Sequence, residues 1–213
     1  NLRVLILNNC KLNDLSVIDF QKINKLEYLD LSGNSIREIP PGLTQLKSLK
    51  KLVLSRNLIQ TLPETFGELD SLSVLEINNN KLISTPLSFA KLQSLRELDM
   101  TNNNLSRFPA VSSDMKLDKI YLSDNNISAI PDNIGELKFV GELYLGHNSL
   151  QEFPEPVLYM KSLQFLDLSG NTLNEIPDAI GLADKLKILI LRSCNIQKIP
   201  YSLNKLQALE TLD

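Results

Sequence analysis

Residues 163–173 read LQFLDLSGNTL, and the frame LxxLxLxxNxL that this segment fills decides the fold, because it recurs along the whole chain. Further copies start at Leu2, Leu26, Leu49, Leu72, Leu95, Leu117, Val140 and Leu186, and a tenth starts at Leu209. The starts are 23 residues apart, except for 24 after the first unit and 22 after the fifth. A fixed period changes the meaning of every other pattern in a sequence, since each unit is one supersecondary element that cannot bury its apolar face alone. Apolar residues at repeat positions 4 and 6, with position 5 between them, are the period-2 signature of a short strand. Stacking such units makes a parallel sheet over a continuous core.

Position 9 is Asn in seven units (Asn34, Asn57, Asn80, Asn103, Asn125, Asn148, Asn171) and cysteine in two (Cys10, Cys194). A buried amide there is expected to satisfy backbone groups at the turn out of the strand. The two cysteines lie eight repeats apart, too far for a disulfide, and are expected to be unpaired. The return half of most units pairs an apolar residue with proline, as in Leu62-Pro63 and Ile130-Pro131. Apolar residues follow three and six positions later, a spacing that suits one short helical turn against the core. The fifth unit, SRFPAVSSDMK, is one residue short and has Ser112 where an apolar residue is expected, so its return is expected to be non-helical.

With nine complete units in register, the sequence resembles the leucine-rich repeat family over essentially its whole length. The apolar-Pro pair is similar to the 23-residue subgroup of intracellular Ras-pathway scaffolds, polarity adaptors and bacterial repeat proteins. The resemblance implies an α/β fold, a right-handed horseshoe solenoid with a concave parallel sheet and convex short helices or 3-10 turns. The expected organisation is one domain over residues 1–213, nine repeats plus the start of a tenth, with any terminal caps outside the chain. The resemblance also implies protein binding on the concave sheet.

Composition limits the partner. The 213 residues include 22 Lys plus Arg against 25 Asp plus Glu, for a formal net charge of -3, without any run of like charges. Nucleic acid and anionic membrane are poor partners for such a surface, and no apolar run is long enough to insert in a bilayer. A protein partner and a monomeric solenoid are expected. The chain's first residues lack signal-peptide features and there are no cysteine-rich caps, which points to the cytoplasm, with secretion or the cell surface as the alternative for a bacterial source.

Positions 1, 4, 6, 9 and 11 belong to the core, leaving 3, 5, 7 and 8 for the concave surface. In repeats six to nine these positions hold Tyr121, Tyr144, Phe165, Ile188 and Ile190, with His147 and Arg192 at the edge. An apolar patch rimmed by polar groups marks an interface, although such rings also stack across strands for purely structural reasons. Asp30, Glu76, Glu97, Asp99, Glu142 and Asp167 form a broken acidic stripe that would favour Lys or Arg on a partner, or else is a solvated face. His147 is the only histidine, so no metal cluster is expected, and no phosphate loop, CxxC pair, HExxH or GxSxG motif occurs. No catalytic residue and no cofactor is therefore assigned. The reading is a non-catalytic scaffold or adaptor; the alternatives are the targeting segment of a larger kinase, GTPase or ubiquitin ligase, and a bacterial surface protein that binds a host protein.

Overall fold

The computed structural model describes residues 1–213. Ten short strands form one parallel sheet in strict sequence order. They are β1 (Val4–Ile6), β2 (Tyr28–Asp30), β3 (Lys51–Val53), β4 (Val74–Glu76) and β5 (Glu97–Asp99), followed by β6 (Lys119–Tyr121), β7 (Glu142–Tyr144), β8 (Phe165–Asp167), β9 (Ile188–Ile190) and β10 (Thr211–Leu212). Each complete strand is repeat positions 3, 4 and 5. The register never slips, so that Leu52 sits opposite Leu75 and Tyr121 opposite Tyr144. Position 4 therefore points inward all along the sheet, and from Leu29 to Leu189 it is at most 1% exposed.

The return segments carry 3-10 turns and no α-helix. The cause is visible in the hydrogen bonding. A proline carbonyl accepts the amide of the residue three places on, as in Leu43 to Pro40, Phe89 to Pro86 and Ile180 to Pro177. Closure at i+3 gives the tighter helix. The same turn brings the third and sixth residues after proline into the interior, where Phe66, Leu69, Ile134 and Leu137 are fully or almost fully buried. One hydrophobic cluster consequently runs from Leu15 to Leu206, with Phe66 and Phe89 stacked 6.1 Å apart inside it. The fifth unit has no helical turn between β5 and β6. Its Ser112 hydroxyl donates to Ala90 O at 2.9 Å, a bond that an apolar residue at this site would lack.

The position-9 amides form a ladder. In each case Nδ2 donates to the position-6 carbonyl of its own repeat and of the repeat before, while Oδ1 accepts the position-11 amide of the repeat before. Asn171 donates to Leu168 O and Leu145 O at 2.8 and 3.0 Å and accepts from Leu150 N at 3.0 Å. Cys194 keeps one of these bonds, Sγ to Leu168 O at 3.0 Å. A thiol is a weak acceptor, and the Leu173 amide goes instead to the Cys194 carbonyl at 3.1 Å. Cys10 is exposed and Cys194 buried, and both are unpaired.

Candidate functional site

Positions 3 and 5 of every strand face the open side of the sheet, and the C-terminal half of that face is built around three rings. Tyr121 and Tyr144 are register partners whose ring centroids lie 4.7 Å apart at 23°. Phe165 is one strand further on and sits diagonally, 4.5 Å from Tyr144 at 32°. Ile188 lies beside Phe165 and Ile190 beside Asp167, continuing the apolar stripe across β9. All five side chains are half-buried. The rings cover one another's faces, which contributes about 0.5–1.5 kcal/mol per pair beyond area burial, and leave their edges to solvent.

The acidic stripe is far less free than its sequence suggests. Glu76 is paired with Lys51 at 2.6 Å and Glu142 with Lys119 at 2.9 Å. These carboxylates hold both lysine ammonium groups above their ordinary titration range. Glu142 also accepts from the Tyr144 hydroxyl at 3.1 Å. Burial and that bond together push the Tyr144 phenol up to about 12, and burial raises the Tyr121 phenol as well. The aspartates at position 5 have another task. Asp99 accepts from Thr101 N at 3.0 Å and Asp167 from Ser169 N at 2.8 Å, each closing the turn out of its strand. Asp99 also accepts from Asn78 Nδ2 at 2.5 Å. Of the six carboxylates, Glu97 alone has no hydrogen-bonding or ion-pair partner in the structure.

Two of the candidate residues also serve the fold. Asp30 is only 9% exposed, wedged in the sheet with its Oδ1 accepting from Ser32 N and Ser32 Oγ at 2.9 and 2.6 Å. It caps the turn out of β2. His147 owes its place to the backbone: position 8 is left-handed in all nine complete repeats, from Asn9 (φ 54) through Gly33 (φ 66) and His147 (φ 54) to Ser193 (φ 58). Residues that tolerate that conformation are favoured there. The His147 ring lies over Gly170, where a Cβ would come within 2.5 Å of Nδ1. Arg192, also at the edge, is exposed and paired with Asp213.

Sequence reasoning missed Lys51, Lys119 and Asn78, which bind the stripe from within. Aligning the repeats in columns could have found Lys119, which stands opposite Glu142 in register. Asp-x-Ser or Asp-x-Thr at positions 5 and 7 was the unread signal for the turn caps. No cluster of three or more metal-binding side chains is present, no helix is long and apolar enough to cross a membrane, and the surface hollows are shallow. One of about 680 Å³ opens on one flank among Glu152, Glu175 and Lys198, away from the rings.

Comparison with known proteins places these features in a family. The family described as leucine-rich repeat region matches residues 1–119, and that described as leucine rich repeat matches residues 115–173. No curated protein matches the chain. Among solved structures, a leucine-rich repeat protein of Leptospira interrogans is 26% identical with a TM-score of 0.70, over 90% of this chain and 57% of that one. The PEPR1-AtPEP1 structure is 32% identical with a TM-score of 0.75, over 89% and 28%. The TLR13-ssRNA13 complex is 27% identical with a TM-score of 0.78, again over 89% and 28%. The chain thus spans between about a quarter and three-fifths of the length of these structures.

Proposed function

This chain belongs to the leucine-rich repeat family, and on that premise we propose that it is a non-catalytic module that binds a protein partner on its concave face. Tyr121, Tyr144, Phe165, Ile188 and Ile190 are the anchors; His147 and Arg192 form the edge, and Glu76, Glu97, Asp99, Glu142 and Asp167 with Asp30 supply the charge. The observation that carries this reading is the stacked stripe itself. A repeat needs apolar residues only at its inward positions, yet these five stand on the solvent side with their edges exposed. Aromatic anchors of this kind dominate binding energy at protein interfaces.

The structures similar to this chain support ligand capture as the use of the fold, since PEPR1-AtPEP1 and TLR13-ssRNA13 are both complexes by name. A net charge of -3 favours protein over RNA, because phosphate contacts need a basic surface. Against catalysis, all of the carboxylates but Glu97 are committed to lysines and turn amides, and the open sheet does not exclude water. The partial span of the matched structures keeps a second reading in play, in which the chain is the targeting segment of a larger enzyme and binds through the same face.

The test is to isolate a partner from the native source and measure its affinity for Tyr121→Ala, Tyr144→Ala and Phe165→Ala. Each is expected to lose about 2 kcal/mol, or some 30-fold. Unchanged affinity in all three, with folding intact, overturns the proposal.

A further inference from the structure

The concave face has a direction. Positions 3 and 5 of the ten strands hold seven carboxylates, Asp213 included, against two lysines, a local excess of five negative charges in a chain whose net charge is -3. The remaining residues therefore carry a net positive charge, and the negative charge is concentrated on the concave face. The charge is also unevenly placed along the sheet. Glu76, Glu97 and Asp99 stand on β4 and β5, the rings on β6 to β8, and Ile188 and Ile190 on β9. Lys51 and Lys119 are drawn to Glu76 and Glu142, so that Glu97, the register neighbour of Lys119, is left without an ion pair of its own. A hollow of about 430 Å³ opens beside it, lined by Val74, Arg96, Glu97, Asp118 and Lys119. Tyr121 is stacked on its Tyr144 side only, and its other neighbour in register is Asp99. Strand spacing of about 4.8 Å puts β4 and β9 about 24 Å apart, which about seven extended residues would span.

From this arrangement we propose that the partner presents a short extended segment lying across the strands, with Arg or Lys over Glu97, Asp99 and the free face of Tyr121, and a bulky apolar side chain over Phe165, Ile188 and Ile190. The inference rests on the concave face being the interface. Charge complementarity selects the cationic end, since a guanidinium can meet a carboxylate and an aromatic face together. The apolar end matches the isoleucines, where Asp167 is occupied by the Ser169 amide.

The probe is the fluorescently labelled peptide Arg-Arg-Gly-Ser-Gly-Leu-Phe, together with its reversed sequence, one control in which Glu-Glu replaces the arginines and another in which Gly-Gly replaces Leu-Phe. One of the two basic directions should bind the folded chain with sub-millimolar affinity, and both controls should bind at least about tenfold more weakly. Glu97→Gln should weaken the basic probe about two- to fivefold, and Glu97→Lys further. Raising salt from 50 to 500 mM should weaken it by a similar factor. Equal binding of the Glu-Glu peptide, no binding in either direction, or indifference to salt and Glu97→Gln overturns the inference. If the native partner then still responds to Tyr144→Ala, the concave interface stands and only the basic segment is removed. Indifference to both removes both.

Discussion

The ring of Tyr144 packs 4.5 Å from that of Phe165 on the next strand, although the two residues occupy different repeat positions, 5 and 3. That diagonal contact carries the stripe from one column of the sheet to the other, and it is why the apolar surface reaches both Ile188 and Ile190. It also shields the Tyr144 phenol, with a titration consequence.

Tyr144 is expected to deprotonate near pH 12, against about 10 for an unfolded tyrosine. A folded pKa raised above the unfolded one means that the neutral phenol is favoured by folding. Its stabilisation is complete below pH 10 and is lost as pH rises toward 12. Titration followed by NMR on ring-labelled tyrosine checks this, and Glu142→Gln should lower the Tyr144 value by removing the carboxylate that accepts its hydroxyl. A Tyr144 midpoint at 10 in the native chain would contradict the packing described.

Denaturation midpoints should rank the inward and outward positions. Leu168→Ala is expected to cost about 2–5 kcal/mol by opening a cavity in the stacked core. Asn171→Ala strands the buried Leu150 amide, while Leu145 O and Leu168 O keep donors from Asn148 and Cys194, and should cost about 1–3 kcal/mol. Tyr144→Ala, at a half-buried position on the open face, should cost least of the three. If Tyr144→Ala is the worst, the sheet faces the other way.

Ser55 is a buried serine whose hydroxyl has no partner. Ser32 sits at the same repeat position and bonds to Asp30, but at position 5 of its own unit Ser55 has Val53, which offers no acceptor. Ser55→Ala should therefore be neutral or stabilising by up to about 1 kcal/mol, while Ser32→Ala should destabilise by about 1 kcal/mol. Thermal melts of the two variants decide it; equal losses would remove the turn-cap account of the position-5 aspartates.

The strand positions, the inward leucines, the asparagine ladder and the irregular fifth unit were legible in the sequence because each follows from, or departs from, a side-chain periodicity that recurs through nine units. What was not legible depends on neighbours across the sheet. The pairing of Glu76 with Lys51 spans two strands diagonally, and the burial of Asp30 follows from a local bond to Ser32. The left-handed backbone at position 8 leaves only a mixed residue signature, so the turn that His147 serves at the edge of the face was not readable from its residue type. The rings themselves were visible, but their mutual stacking, which makes three residues one surface, was not.

Native-state thiol labelling should separate the cysteines. Cys10 is exposed and should react at once, whereas burial raises the Cys194 thiol and its Sγ is held by Leu168 O, so it should react only on unfolding. Two free thiols in the denatured, unreduced chain are expected; a single fast phase of two in the native state would contradict the buried ladder at repeat nine.

The most direct test of the central claim is site-specific photocrosslinking. A benzoylphenylalanine in place of Tyr144 on the concave face, or of Leu182 in a convex 3-10 turn (Asp178–Leu182) where the side chain is 54% exposed, can be irradiated with the native partner. The concave interface predicts a covalent adduct from position 144 and none from position 182. An adduct from position 182 alone would place the partner on the convex side and contradict it.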